Sequence, residues 1–379
     1  MIEFNKKLIF RKFFLDNTYF FITALASLSI IVWVIQAVNF LDFVTEDGHG
    51  LGVYFKYTLL NLPKIISRLM PFIFFVSIFY TLNKYEENNE LKIFWIFGTD
   101  KKEFLNKVLK YSFIILFIQL ALNLFVVPYA QNKARTYIQS SSIDFFPSLI
   151  NEKKFIDTVD KLTIYVEKKE KNYYEKIFLK DNKEQKKTKI IYAEKGNLTN
   201  DQKGRYLNLY NGKIININRN NVTVFDFKNT TFDLSSFTTK SIVDFKIQEK
   251  NTYQILECFI NFHLLNNLTF FHENHCNEES LGMLQQELFK RFIKPFFYLS
   301  LATVICFLLL FSKENIKSKF NKFGVFLFGV IIVILSEFAT STASASFIYF
   351  QFSVIFTFLL FFILFLILFK KLSLEGKNS

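Results

Sequence analysis

The sequence predicts a membrane α-helical protein with six transmembrane helices, arranged three and three around an inserted all-β domain of the jelly-roll type. Three observations support this fold class. Apolar runs of about 20 residues, enough to cross a bilayer, occur in two groups of three. The polar segment between the groups alternates at the strand period and contains turn signals. Hydrophobic residues form 51% of the 379 residues, but they gather in those runs.

The predicted chain has three parts. Residues 1–128 contain the first three transmembrane helices, residues 129–286 the β domain, and residues 287–379 the last three helices. We expect the spans at residues 19–41, 59–82, 104–127, 292–311, 323–339 and 346–369. Between spans two and three, the stretch ELKIFWIFG predicts a short amphipathic helix at about residues 86–98, which Gly98 stops.

The middle part contains short segments that place apolar residues on one face. They are expected at residues 161–168, 173–180, 188–195, 205–212, 213–219 and 222–228. Turn signals stand between them at Asp181-Asn182, Asn211-Gly212 and Asn220-Asn221. This spacing predicts a sandwich or a jelly roll. The pattern leaves two roles open: a solvated domain that only holds the two halves together, or a trough whose apolar inner face carries a lipid.

The distribution of Lys and Arg predicts the orientation. Three segments that fall on one side of a six-span protein are basic, and short cytoplasmic loops carry this excess. We therefore expect both termini in the cytoplasm and the β domain in the periplasm. The basic residues are Lys6, Lys7, Arg11 and Lys12 at the N-terminus, Lys313, Lys317, Lys319 and Lys322 between spans four and five, and Lys370, Lys371 and Lys377 at the C-terminus.

Several function classes are disfavoured. The net charge of +13 could indicate nucleic-acid binding, but the basic residues flank apolar runs, so we expect no nucleic-acid partner. Gly324 and Gly329 have the spacing of a phosphate-binding loop but lack its Lys and Ser/Thr, so this chain is not expected to hydrolyse ATP. No catalytic residue is predicted.

No metal site is predicted either. His272, His275 and Cys276 cluster in the sequence, with His263 nearby, but their spacing matches no zinc motif. Cys258 and Cys276 could pair, yet nothing in their spacing demands it, and we expect two free thiols.

Charged residues within the spans are candidates for function because charge is costly in a bilayer. Lys64 and Arg68 lie one helical turn apart in span two, and Glu337 lies near the outer end of span five. Each either contacts a ligand or extends its charge to the headgroups.

The short helix after span two has two interpretations. Its acidic residues Glu86, Glu87 and Glu90 suit an anionic membrane surface poorly, and its aromatic residues Phe94 and Trp95 favour insertion into a groove of a soluble partner. The alternative is an interfacial helix with both aromatic rings among the headgroups.

The chain resembles the LptF/LptG permease family of the lipopolysaccharide export system, through four stretches that span nearly its whole length. LTIYVEK, with Tyr165, is more similar to the LptF branch than to LptG. The four stretches are LIFRKFF with Arg11, NLPKIISRLMPF with Pro63 and Pro71, ENNELKIFWIFG with Glu90, Leu91 and Gly98, and QELFKRFIKP with Glu287, Leu288, Arg291 and Pro295.

The resemblance implies a permease subunit in the bacterial inner membrane. Such a chain pairs with an LptG-like permease around a cavity that takes up lipopolysaccharide, with spans one and five as lateral gates. A dimeric LptB-like ATPase, which uses ATP and Mg, grips the short cytoplasmic helix, so this chain needs no cofactor of its own. The lipid then passes through the jelly roll to LptC/LptA-like bridge proteins in the periplasm. Alternatives are the LptG-type partner itself, or a membrane-anchored periplasmic sensor or scaffold.

The resemblance and the charge pattern together nominate site residues. Family members often carry basic residues in span one, but here no Lys or Arg lies between Lys12 and Lys56, so either Lys64 and Arg68 take over or the substrate has fewer phosphates. The expected ATPase contacts are Glu90, Leu91, Phe94, Trp95 and Gly98, and the candidates for substrate contact are Lys64, Arg68, Arg291 and Glu337.

Overall fold

The computed structural model confirms a membrane helical protein with an inserted β domain. It describes residues 2–378 except 42–50, 142–149, 151, 160, 171–172, 185–186, 202–203, 219–220, 235–246, 264–279 and 312–317. Six helices in the described part are long and apolar enough to span a membrane, and they are Lys6–Asn39, Leu51–Glu87, Lys101–Ile138, Leu281–Leu310, Ser318–Thr342 and Phe347–Leu374. We number them spans one to six.

The helical elements are numbered in chain order. They are α1 (Ile2–Asn39), α2 (Leu51–Leu60), α3 (Leu62–Glu87), α4 (Glu90–Ile96), α5 (Lys101–Ala121), α6 (Val127–Ser141), α7 (Thr252–His263), α8 (Leu281–Leu288), α9 (Phe297–Cys306), α10 (Ser318–Thr342) and α11 (Phe347–Asn378). One π-helical turn, Leu122–Val126, lies within span three and another, Phe289–Ile293, within span four. The chain divides into two compact units, residues 1–34, 61–132 and 246–379 in one, and residues 35–60 and 133–245 in the other.

The first unit is built around span four. Its helix α9 is buried along its whole length and packs against α3, α5, α10 and α11. The core is rich in aromatic residues. Helices α10 and α3 approach each other closely at Gly329 on α10, where an added Cβ atom would lie 2.1 Å from the ring of Phe75 on α3. A side chain at position 329 would therefore separate these two helices.

The second unit contains one antiparallel sheet of six described strands, joined in sequence order. They are β1 (Phe155–Val159), β2 (Leu162–Glu170), β3 (Tyr173–Glu184), β4 (Lys187–Asp201), β5 (Gly204–Asn218) and β6 (Val222–Asp233). Leu162, Ile164 and Val166 alternate as buried residues along β2, and they belong to a core made of side chains from this unit alone. The described strands form this single sheet, and a two-sheet sandwich is not seen among the described residues.

Two of the three predicted turns are wrong. Asp181-Asn182 lies inside β3, and Asn211-Gly212 lies inside β5, so the two strands predicted at 205–212 and 213–219 are one long strand. The reason is that β4 and β6 flank β5 on both sides and pair with it before and after Gly212. For the third predicted turn, Asn220 lies outside the described residues, but Asn218 and Asn221 exchange backbone hydrogen bonds of 2.9 and 3.2 Å where β5 ends and β6 begins.

Candidate functional site

The short helix α4 lies between two residues with left-handed backbone conformations. Asn89, with φ of 60°, separates it from α3, and Gly98, with φ of +70°, follows its end. A positive φ is cheap for glycine and tolerated by asparagine. These two residues turn the chain sharply on each side of α4, so α4 is a separate helix and continues neither span two nor span three.

One face of α4 is anchored in the aromatic core. The Phe94 side chain is only 1% exposed, and its ring lies 5.1 Å from that of Phe10, 6.2 Å from that of Phe13 and 5.3 Å from that of Phe104. Leu91 and Trp95 are partly buried against the same cluster. The buried ring of Phe94 therefore positions the helix, whereas the sequence analysis assigned it to a partner.

The opposite face of α4 is exposed. Ile96 is 79% exposed and Ile93 42% exposed, and Glu90, one turn before Ile93 at the edge of this face, is partly exposed. The Glu90 carboxylate accepts a hydrogen bond from Nδ2 of Asn88 at 3.2 Å and lies 3.7 Å from Nζ of Lys12. Ile93 and Ile96 were not predicted as contact residues. They follow Glu90 at intervals of three residues, and residues three apart are neighbours on a helix. Contact of Glu90, Leu91, Trp95 and Gly98 with a partner stays a prediction.

Two of the three basic segments lie close to α4 or to the end of α3 that precedes it. Lys6 and Lys12 of the N-terminus contact the α4 region, and Lys322, at the start of span five, lies 2.8 Å from Glu86 at the end of α3. Two of the segments used for the orientation argument are thus on the same side of the first unit as α4.

Arg291, a candidate for substrate contact, is buried, and its guanidinium forms hydrogen bonds with other groups of this chain. It is 1% exposed, and its Nε donates to Glu287 at 3.0 Å. Its terminal nitrogens donate to Oγ1 of Thr252 at 2.8 Å and to the backbone carbonyls of Gln248 and Lys250 at 3.1 and 3.2 Å. All three nitrogens are therefore used to fasten the segment that follows the β domain to span four.

This fastening extends to span three. Thr252 Oγ1 also donates to the carbonyl of Leu124, at 2.6 Å, within the π-helical turn of that span. Asn123, in the same turn, donates through Nδ2 to the carbonyl of Lys290 in the π-helical turn of span four, at 3.3 Å. Burial also lowers the pKa of the Lys250 ammonium beside this junction. The two irregular turns thus face each other across a buried polar junction.

The remaining candidates for substrate contact lie on spans two and five. Lys64 is half-buried and Arg68 is exposed, one turn apart on α3. The carboxylate of Glu337 pairs with Nζ of Lys294 at 2.5 Å, and the Lys294 side chain is largely buried whereas that of Glu337 is 57% exposed. The sequence analysis did not select Lys294. A substrate role for Lys64, Arg68 and Glu337 stays a prediction.

The cysteine expectation is wrong in part. Cys258 on α7 is disulfide-bonded, whereas Cys306 in span four is a free, buried thiol. Cys276, His272 and His275 lie outside the described residues. Among the residues that are described, no group of three or more His, Cys, Asp or Glu side chains could hold a metal ion.

Comparison with known proteins decides the family. The sequence profile described as "Lipopolysaccharide export system permease LptF/LptG" matches residues 9–371, nearly the whole chain. The chain belongs to the LptF/LptG family. The match does not separate the LptF branch from the LptG branch. Together with the six apolar helices, membership makes this LptF/LptG protein a multi-pass inner-membrane protein.

One curated relative has no described activity. The chain is 22% identical over 193 residues to "Uncharacterized protein RP871" of Rickettsia prowazekii (strain Madrid E). The aligned region covers 50% of this chain and 53% of that protein, so the match spans about half the length of the relative.

Proposed function

We propose that this LptF/LptG-family protein is a permease subunit of an ATP-driven exporter that extracts lipopolysaccharide from the inner membrane and passes it to a periplasmic bridge. Family membership supports the substrate class and the permease role. The chain itself supplies no catalytic residue: ATP and Mg are bound by a separate dimeric, LptB-like ATPase. An LptG-like second permease completes the membrane part, and the LptF-like stretch around Tyr165 favours the LptF role for this chain.

The observation that carries the proposal is the exposed face of α4. It combines one carboxylate, Glu90, with the two exposed isoleucines Ile93 and Ile96, on a helix held from behind by Phe94. Apolar side chains beside a charge suit a helix that inserts into a groove of a protein partner. The ATPase docks on this face, so nucleotide-driven movement of the ATPase moves α4.

Charge reversal at Glu90 tests the docking. In membranes that contain the whole complex, Glu90→Lys is expected to lower co-purification of the ATPase by about tenfold or more, the scale expected for breaking a charge-assisted contact in an interface. Glu87→Lys, an exposed carboxylate three residues earlier, is the matched control and should retain the ATPase. Undiminished ATPase capture and ATP turnover by Glu90→Lys would reject the coupling role.

The β domain suits a lipid trough. A row of apolar residues in register crosses the sheet from Ile164 through Leu179, Ile191 and Ile214 to Phe225 on β6. Residues directly opposite each other on neighbouring strands share a face. Phe225 is 56% exposed, so it extends the buried apolar face to the last described strand of the sheet, where an acyl chain can enter.

Site-specific photocross-linking tests the trough. A cross-linkable residue at Phe225 is expected to form an adduct with lipopolysaccharide when ATP is supplied. The matched control is Val224, which is 55% exposed on the same strand but faces the other side of the sheet. Equal adducts at both positions, or none at either under transporting conditions, would contradict the trough.

The disulfide at Cys258 supports the proposed orientation. Disulfides persist in the oxidising periplasm and are rare in the cytoplasm. Cys258 lies on α7, between the β domain and span four. A periplasmic β domain and cytoplasmic termini agree with this disulfide and with the basic segments near α4.

A further inference from the structure

The N-terminal part of α1, residues 6–16, packs along α4. We call this segment the brace. The rings of Phe10 and Phe13 lie 5.1 and 6.2 Å from that of Phe94, and both also contact the ring of Phe104 at the start of α5. Phe10 and Phe13 are themselves buried, so the brace and α4 share one apolar core.

Two lysines of the brace reach opposite ends of α4. Nζ of Lys12 lies 3.7 Å from the carboxylate of Glu90, the first residue of the helix. Nζ of Lys6 donates to the carbonyl of Gly98, just beyond the last turn, at 2.6 Å, and to the carboxylate of Glu103 at 3.2 Å. A cation at the C-terminal end of a helix is favourable because the last carbonyls point there. The brace therefore runs antiparallel to α4 and holds it at both ends.

The brace is also fixed to the end of span two. The hydroxyl of Tyr85 donates to Oδ2 of Asp16 at 2.7 Å, and the Phe13 and Tyr85 rings are 5.2 Å apart, edge to face. Beyond Asp16 the same helix continues without a break to Asn39, so the brace is the first part of span one.

The backbone connects α4 less firmly to spans two and three than the side-chain contacts connect it to the brace. Asn89 and Gly98, with their positive φ angles, join α4 to spans two and three through sharp turns rather than through continuous helix. Movement of α4 can be absorbed at such turns, because hinge residues take up backbone rotation. Displacing α4 from the brace would instead expose buried aromatic surface and break the contacts of Lys6.

From this geometry we infer that the brace carries the movement of α4 to the rest of span one, and that Lys6 is the positioning residue that keeps the brace and α4 together. The inference rests on the proposed function, because it assumes that an ATPase moves α4. Under it, the contacts of Lys6 with Gly98 and Glu103 set how much lipid moves for each ATP hydrolysed, whereas Glu90, Ile93 and Ile96 set how tightly the ATPase binds.

The test compares variants of Lys6 in the intact complex, purified from native membranes and placed in proteoliposomes with lipopolysaccharide. Three quantities are measured: ATPase capture, ATP hydrolysis, and lipopolysaccharide exported per ATP. For Lys6→Ala we expect unchanged capture and an export-to-hydrolysis ratio about tenfold lower, the scale expected from loss of a hydrogen bond to a charged group. Lys6→Arg keeps a donor for Gly98 and Glu103 and should restore the ratio. Lys7→Ala, an exposed neighbour, is the control.

Each outcome is decisive. If Lys6→Ala matches Lys7→Ala in all three quantities, the brace is overturned while the proposed function stands. If Lys6→Ala no longer co-purifies with the ATPase, the brace serves only to hold α4 in position for docking. The inference that it carries the movement of α4 is then overturned. If the unaltered complex exports no lipopolysaccharide with ATP, the proposed function fails and the inference fails with it.

Discussion

At the scale of single residues, Arg291 illustrates how burial decides the role of a charge. Its sequence position, at the entry to span four, made it a candidate for substrate contact. In the structure its guanidinium is 1% exposed and faces Glu287, Thr252 and two backbone carbonyls. A buried cation with all its nitrogens satisfied stabilises a junction, and it offers little to a ligand.

We expect Arg291→Leu to destabilise the protein strongly. Removing one partner of a buried pair leaves the Glu287 carboxylate unpaired, which costs about 3–5 kcal/mol. Thermal unfolding of the detergent-solubilised protein should show a lower midpoint for Arg291→Leu than for Arg68→Leu, which removes an exposed charge. If Arg291→Leu is as stable as the unaltered protein but no longer binds lipopolysaccharide, Arg291 contacts the substrate after all.

At the scale of elements, the contact between α3 and α10 depends on the absence of a side chain at Gly329. Gly329→Ala places a methyl group at 2.1 Å from the Phe75 ring, and overpacking of this kind costs about 1–3 kcal/mol. Gly324→Ala, one and a half turns earlier on α10, meets nothing within 4 Å and should be neutral or slightly stabilising. Unfolding midpoints of the two variants check this, and equal midpoints would show that α3 and α10 pack less closely than the structure indicates.

The elements also show where sequence patterns are sufficient. All six spans were predictable because their length and apolar composition are local properties. The continuity of β5 through Asn211-Gly212 was not predictable, because the turn signals were overridden by pairing of β5 with β4 and β6 on both sides. Strand β1 was missed since its five residues carry little alternation, and it pairs with β2 through an irregular register.

The candidate site was only half predictable for a similar reason. The existence of α4 and of Glu90 at its start followed from local sequence. Which face of α4 is free depends on Phe10 and Phe13, which lie about 80 residues away in the chain and cover Phe94. The contacts of Arg291 likewise come from Gln248, Lys250 and Thr252, a segment whose position no local pattern encodes.

At the scale of the whole molecule, the six spans differ greatly in how much of their apolar surface this chain covers. In its most apolar window, span four is 72% buried, whereas span one is 11% and span six 22% buried. Uncovered apolar helix faces suit lipid or the helices of another membrane protein. This distribution agrees with a chain that pairs with a second permease through its outer spans.

The proposed orientation makes a direct prediction for the whole chain. Reporter fusions at residues 90 and 200 should lie in opposite compartments, with residue 90 in the cytoplasm and residue 200 in the periplasm. Two spans separate α4 from the N-terminus and four separate it from the C-terminus, so α4 shares their compartment. One span, span three, separates α4 from the β domain. Reporters that place both residues in one compartment would remove the transporter assignment.

The most direct measurement of the central claim is mass spectrometry of the complex purified through this chain from its native membranes. We expect a second permease of the same family, two copies of an ATPase and bound lipopolysaccharide. From Glu90→Lys, we expect the same complex to purify without the ATPase. A chain that purifies without any ATPase or second permease, under conditions that preserve other membrane complexes, would contradict it.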